Sequence, residues 1–272
     1  MKIVDGFIFY NELDMLEYRL SVLNEIVDYF VIVEMTHTFT GNPKPMFFYE
    51  NQHRFQKFNH KIIYVKKEAL YTYPNIDFNK SHQWMNEYIQ REAITEGIDT
   101  ILLNPNDVII ISDVDEIPNP EVLKKIKEGK KLLQRNLFYA LIQDFYYYNL
   151  KCRFENKWYN SRIFTYQFYT EHVKNNTNKY MLTNIRFGDC YNAIENAGWH
   201  LSFFGDPYFI QNKLKQFSHQ EFNDKERTDI NNIILCLNQN INIIKKNRIN
   251  VVPLEKNKNL PIKYKEFDKL FY

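Results

Sequence analysis

The chain has 272 residues, 44% of them hydrophobic and 25% charged, which is ample for a sizeable core and excludes disorder as the default. A net charge of +2, with basic residues spread rather than clustered, argues against a nucleic-acid partner, and no apolar run reaches membrane-spanning length. Three distant cysteines, Cys152, Cys190 and Cys236, form no Cys-x-x-Cys pair, so neither a structural zinc nor a disulfide framework is expected, and a reducing, cytoplasmic location fits a chain with no visible signal or anchor.

Residues 2–9 read as a first strand, and Leu13, Leu16, Leu20, Leu23 and Val27 recur at the three- and four-residue spacing of an amphipathic helix. FVIVE at 30–34 and KIIYVK at 61–66 read as further strands, separated by a loop with Gly41, Pro43 and Pro45 as breakers. A helix is expected between Asn79 and Gly97, with Trp84, Tyr88 and Ile89 on one side and Gly97 as its left-handed cap. The apolar run Val108–Ile111 reads as a strand buried on both faces, ending at Ser112. Asn119, Pro120 and Glu121 form a helix start, with the helix running to about Lys131. Thereafter residues 137–150, 162–169, 181–187 and 199–204 read as strands, residues 207–217 and 227–247 as helices, and the remainder as an irregular tail. The expectation is one α/β domain over residues 1–272: a nucleotide-sugar-binding half (1–135), an acceptor-side half (136–225), then a carboxyl-terminal helix and tail (226–272).

Packing does not explain how the strand at 108–111 ends. Asp113, Asp115 and Glu116 follow it within five residues, where the carboxyl end of a strand in an open α/β sheet faces the ligand crevice. Carboxylates this close repel unless a cation or hydrogen-bond donors hold them, and such oxygen ligands suit Mg²⁺ or Mn²⁺ on a diphosphate. The plain alternative is a solvated acidic turn before a helix. Aromatic residues, at 17%, accompany abundant Asn, Lys and Ile, a mixture that codon bias explains, so no single Tyr or Phe marks a sugar platform.

Five segments in order resemble glycosyltransferase family 17: FYNELDMLEYRL (9–20), VDYFVIVEMTHTFTGNPKP (27–45), the helix from Trp84 to Arg91, DVIIISDVDEIPNPE (107–121) and NAGWHLSFFG (196–205). The resemblance implies a GT-A-like nucleotide-sugar-binding fold with a central, mostly parallel mixed sheet flanked by helices. It also implies Mn²⁺- or Mg²⁺-dependent transfer, with inversion, of a sugar from a UDP-sugar donor, UDP-GlcNAc foremost, to a glycan or glycoprotein hydroxyl. On that reading Asp115 is the metal ligand, Asp113 a ribose or metal contact, and Glu116 an orienting neighbour. His200 resembles the late histidine that completes the metal shell, with His219 as its rival and a core histidine as the plain alternative. Glu12, Asp14, Arg19 and Glu34 stand at strand ends near the expected crevice, and Arg91 has the donor fork that suits a diphosphate. Asp144, among aromatics, is the first choice for the base that deprotonates the acceptor, ahead of Glu195 and Asp189. Two other classes compete: a metal-dependent phosphoesterase, disfavoured by the lack of histidine clusters, and an inactive glycan-binding module, disfavoured by the intact acidic strand end.

Overall fold

The computed structural model describes residues 1–68, 70–176 and 181–271. In chain order the first half comprises β1 (Ile3–Phe9), α1 (Leu13–Leu23), β2 (Tyr29–Met35), α2 (Phe47–Glu50), β3 (Ile62–Lys67), α3 (His82–Glu92), α4 (Ile94–Ile98), β4 (Val108–Asp113), β5 (Glu116–Pro118) and α5 (Pro120–Lys127). There follow β6 (Phe138–Tyr147), β7 (Arg162–Thr165), α6 (Tyr166–Tyr169), α7 (Met181–Phe187), β8 (Ala193–Ser202), α8 (Pro207–Gln216), α9 (Ile230–Gln239) and α10 (Asp268–Phe271). No helix among the described residues is long and apolar enough to cross a membrane.

One eight-stranded sheet in the order β3-β2-β1-β4-β7-β6-β8-β5 runs through the molecule. The first four strands of that order are parallel, β7 pairs antiparallel with β4 and β6, and β8 is parallel to β6. This is the α/β class with a mostly parallel mixed sheet that was expected. Two apolar clusters cover the two faces of the parallel half: Phe7, Leu16, Leu20 and Ile110 belong to one, Val31, Ile94, Ile98 and Ile109 to the other. Burial on both faces explains why β4 is a continuous run of β-branched residues rather than an alternating one.

The strand order forces the site into being. Only Val114 and Asp115 separate β4 from β5, yet three strands lie between them in the sheet. A flat sheet would hold them about 19 Å apart, while three residue steps span about 11 Å at most. The sheet must therefore curl, bringing β8 and β5 back over the carboxyl end of β4. Gly198 permits the closure: its φ is +144°, and a Cβ there would lie 2.0 Å from the carbonyl oxygen of Ile117. Gly198→Ala is expected to cost more than about 1 kcal/mol, read from urea denaturation, because neither the backbone angle nor the gap accommodates a methyl.

Several local expectations are corrected. Residues 181–187 form a helix rather than a strand, the strand expected over 162–169 gives way to α6 after Thr165, and the helix expected over 227–247 is confined to α9. Gly97 is not a left-handed cap but lies within α4, where a Cβ would meet Val31 Cγ1 at 2.4 Å, so its role is close packing. Helix α3 buries Gln83, Asn86, Glu87, Gln90 and Arg91 rather than an apolar stripe. The reason is position: α3 crosses the ends of the strands, where backbone carbonyls need donors. Gln90 Nε2 donates to Phe9 O and Val33 O at 3.0 and 2.8 Å.

Candidate active site

The acidic turn is built on Arg19, wholly buried beneath it. The guanidinium pairs with both oxygens of Asp5 and donates to the carbonyls of Asp113, Val114 and Glu116 at 2.8, 3.2 and 2.8 Å. The suggestion that Arg19 approaches a nucleotide is therefore corrected: its donors are spent on shaping the turn. The carboxylates above it are held by other cations, Arg186 serving two of them. Asp113 accepts from Arg91 on Oδ1 at 3.0 Å and from Arg186 on Oδ2 at 2.6 Å. Glu116, fully buried, takes two bonds from Arg186, at 2.7 and 2.8 Å, and others from Trp158 and Ser161. Asp115 Oδ2 accepts from Lys213 Nζ at 2.9 Å, and Oδ1 lies 3.6 Å from His200 Nε2.

A cavity of about 750 Å³ opens at this strand end. Glu12, Asp113, Asp115, Lys44, Arg186 and Lys213 line its charged part, and His200 shares that wall. Aromatic rings supply much of the remainder, including Tyr10, Trp84, Phe145, Trp158 and Phe203. The His200 ring stacks on Phe145, with centroids 4.8 Å apart and planes 5° off parallel, and lies 4.2 Å from Trp158. His219 also faces the cavity, edge-on to Trp84, but its Nδ1 bonds Glu221 at 2.7 Å.

The sequence candidates divide accordingly. Glu12, Asp113, Asp115 and His200 come together in the cavity. Asp14 does not: it is half exposed and paired with Arg54 at 2.6 Å. Glu34 is wholly buried and instead binds Lys44 Nζ, the Phe48 amide and the Tyr64 hydroxyl, so that Lys44, not Glu34, reaches the cavity. Arg91 is buried between Glu87 and Asp113, where it positions Asp113 without lining the cavity. Asp144 is corrected as the base. Side chains alternate along β6, so Phe145 and Tyr147 face the cavity while Asp144 faces away, its Oδ1 accepting from Arg153 at 2.6 Å and Lys157 at 2.7 Å. Its rivals Glu195 and Asp189 are exposed and lie outside the cavity.

Sequence reasoning missed Arg186, Lys213 and Lys44. Arg186 sits in a segment whose expected secondary structure was wrong, and nothing in PYFIQNKLKQ distinguishes Lys213 from Lys215. The cations set the charge of the turn. Burial alone would raise the Asp115 carboxyl, but Lys213 and His200 outweigh it and hold the group well below the usual range. In the same way Arg186 overcomes the burial of Glu116 and brings its carboxyl down to about 2 from 4.5. Burial pushes Lys44 down, against the upward pull of Glu34.

Two stability measurements check this network. Arg186→Met leaves the fully buried Glu116 without its cation and takes from the partly exposed Asp113 one of its two arginines, and a loss of about 3–5 kcal/mol is expected in urea unfolding. For wild type, a native carboxyl depressed below its unfolded value stabilises above that value and loses the contribution as pH falls. Stability is therefore expected to decline as pH drops from about 4.5 towards 2, the interval between the unfolded and native values of Glu116, in which the unfolded chain takes up the proton and the native one does not. Urea midpoints measured across that range provide the check.

Among the described residues no three His, Cys, Asp or Glu side chains converge as a ready-made metal cage. Asp115 and His200 nevertheless face each other across 3.6 Å, with Asp113 on the same wall. Mg²⁺-like ions commonly take one or two protein carboxylates and complete their shell with water and phosphate oxygens, and imidazole suits Mn²⁺. The donor set thus fits a divalent ion that binds together with a diphosphate. His200 Nδ1 is buried with no hydrogen-bond partner among the described residues, so the ring is held by its stacking on Phe145 and Trp158 and by Asp115 on its Nε2 side.

Comparison with known proteins gives the family. The chain is 33% identical over 112 residues to the human β-1,4-mannosyl-glycoprotein 4-β-N-acetylglucosaminyltransferase, covering 40% of this chain and 20% of that protein. The rat protein of the same name is 31% identical over 121 residues, covering 43% and 22% respectively. The matched region is therefore about a fifth of the length of these relatives. Among solved structures, the glycosyltransferase GlyE of Streptococcus pneumoniae aligns with a TM-score of 0.33 at 12% identity, over 72% of this chain and 46% of that one. A putative glucose-1-phosphate thymidylyltransferase from Bacillus anthracis aligns with a TM-score of 0.38 at 12% identity, over 72% and 87%. The sequence model of glycosyltransferase family 17 matches residues 1–244, most of the chain, and the protein belongs to that family.

Proposed function

We propose that the protein transfers N-acetylglucosamine from UDP-N-acetylglucosamine to a hydroxyl of a glycan or glycoprotein, with inversion and with Mn²⁺ or Mg²⁺ bound. The supporting observation is that Asp113 and Asp115, at the carboxyl end of β4, open with Lys213 into one cavity whose other walls are largely aromatic. Asp115 and His200 would hold the ion, which when bound neutralises charge on the diphosphate. The protein's own residues do the rest. Lys213 and Lys44 bring positive charge to the cavity in which the leaving diphosphate becomes more negative. Arg91 and Arg186 fix Asp113 by one carboxylate oxygen each, which sets its orientation toward the donor. The rings of Phe145 and Trp158, which pack against His200, exclude water from that side of the cavity.

Inversion needs one base on the acceptor side. Among the cavity carboxylates, Asp113 has both oxygens bonded to arginine, Glu87 has both engaged by Arg91 and Ser218, and Asp115 is paired with Lys213 and His200. Glu12 is different. Its Oε2 accepts from the amides of Tyr10 and Asn11, while no hydrogen bond among the described residues ends on Oε1, whose nearest cation, Lys213, is 3.9 Å away. We place the base at Glu12. The test of the reading is nucleotide release from a panel of nucleotide sugars with and without Mn²⁺. UDP release from UDP-N-acetylglucosamine that requires the ion supports it. Hydrolysis of simple phosphate esters would indicate a phosphoesterase, and sugar binding without any turnover a glycan-binding module.

A further inference from the structure

A second cleft, of about 530 Å³, lies beside the first. The two share a wall, the 3₁₀ turn Gln220–Phe222 with its flanking residues: His219 and Phe222 face the first cavity, while Gln220, Glu221 and Asn223 face the second. The opposite side of the cleft is formed by Phe78 and Asn79, just before α3, and by Gln83 in the first turn of that helix. Among the described residues no Lys or Arg lines it and Glu221 is its only charged residue, so it is not built for an anion.

Its lining instead presents amides and an aromatic ring. Phe78 is 45% exposed, an open apolar face at the rim. Gln83 is only 5% exposed, yet its Oε1 is buried with no hydrogen-bond partner among the described residues. An unmet acceptor in such a place costs stability unless a ligand or water supplies a donor. On the facing wall the amides are already ordered: Gln220 Nε2 donates to Phe217 O at 2.7 Å and Asn223 Nδ2 to Gln220 Oε1 at 2.9 Å. Asn223 is thus held by its nitrogen, with its carbonyl oxygen left to accept. Fixed acceptors on two walls, a carboxylate and an exposed ring match a neutral polyhydroxylated ligand, whose hydroxyls donate and whose C–H face covers an aromatic.

We propose that this cleft is a second carbohydrate subsite, which holds a neutral sugar residue of the acceptor one or more units from the hydroxyl being glycosylated. The assignment of that role rests on the reading of the neighbouring cavity as the place of transfer. A bound oligosaccharide would pass over the turn at His219–Asn223, which makes the turn a determinant of acceptor length.

The experiment compares affinities, by isothermal calorimetry in the presence of UDP and Mn²⁺, for β1,4-linked N-acetylglucosamine and α-linked mannose oligomers of one to four units. At least one series is expected to gain about tenfold in affinity from monomer to longer oligomer, and Asn223→Ala is expected to remove most of that gain, as loss of an ordered hydrogen-bond partner does. Asn223 is exposed, so this variant keeps its fold, and Gln83→Leu, which replaces the buried acceptor, is expected to act in the same direction. Absence of binding by every oligomer, equal affinity of monomer and oligomer, or a gain that persists in Asn223→Ala overturns the proposal. If those results come with intact UDP release from UDP-N-acetylglucosamine, only the cleft is misassigned. If variant-sensitive oligomer binding comes without any UDP release, the transfer reading fails and the cleft keeps its ligand.

Discussion

Asp115→Ala is expected to abolish metal-dependent binding of UDP and UDP-sugars and to lower turnover by at least about 10²–10³-fold, the scale of losing a principal charge stabiliser at a reacting centre. The substitution removes the carboxylate facing His200 and releases Lys213 from its closest partner, so the cation site and its counter-charge are lost together. The turn itself should survive. Arg19 holds it through the carbonyls of Asp113, Val114 and Glu116, and the Asp115 carbonyl still accepts from the amide of Leu201 at 2.8 Å. Calorimetric titration of UDP with and without Mn²⁺, alongside circular dichroism, makes the comparison. Metal-independent UDP binding of equal strength in wild type and variant would remove Asp115 from the donor site.

Glu12→Gln is expected to reduce transfer by about 10²–10⁴-fold while leaving UDP-sugar affinity within a few fold, the pattern of a missing general base. The amide retains an oxygen to accept from the Tyr10 and Asn11 backbone, so the start of α1 keeps its shape and only proton acceptance is lost. Asp144→Asn is the contrasting variant. Its carboxylate faces Arg153 and Lys157 on the far side of β6, and near-normal transfer is expected from it. Steady-state kinetics on both variants, with donor affinity measured separately, decide the matter. A dead Asp144→Asn beside an active Glu12→Gln would reverse the assignment.

What was legible locally was legible for physical reasons. The run Val108–Ile111 marks a strand buried on both faces, and three acids directly after it have no packing explanation, so Asp113 and Asp115 stand out before any fold is drawn. The cap Asn119 and Pro120 likewise announce α5, and the side chain of Asn119 accepts the Glu121 amide at 3.0 Å. Polar helices are harder to read. Periodicity detects an apolar stripe, whereas α3 buries polar side chains against strand ends, and a buried glutamine looks the same in sequence as an exposed one. The direction of a lone carboxylate on a strand is equally hidden: one residue of register separates Asp144, facing its cations, from Phe145, facing the cavity.

The sequence by itself determined the α/β class, the acidic end of β4 and the resemblance to the family, because each is written in contiguous residues whose spacing or order carries the information. Only the tertiary structure decided which charges meet. Arg186 reaches Asp113 across 73 residues of chain, and Lys213 reaches Asp115 across 98. Those pairings exist because the sheet curls β8 and β5 back over β4, which local sequence does not encode. Side chains buried together in a low-dielectric cavity set one another's ionisation, so the chemistry of Asp115 and Glu116 became readable only when their distant cations were in place.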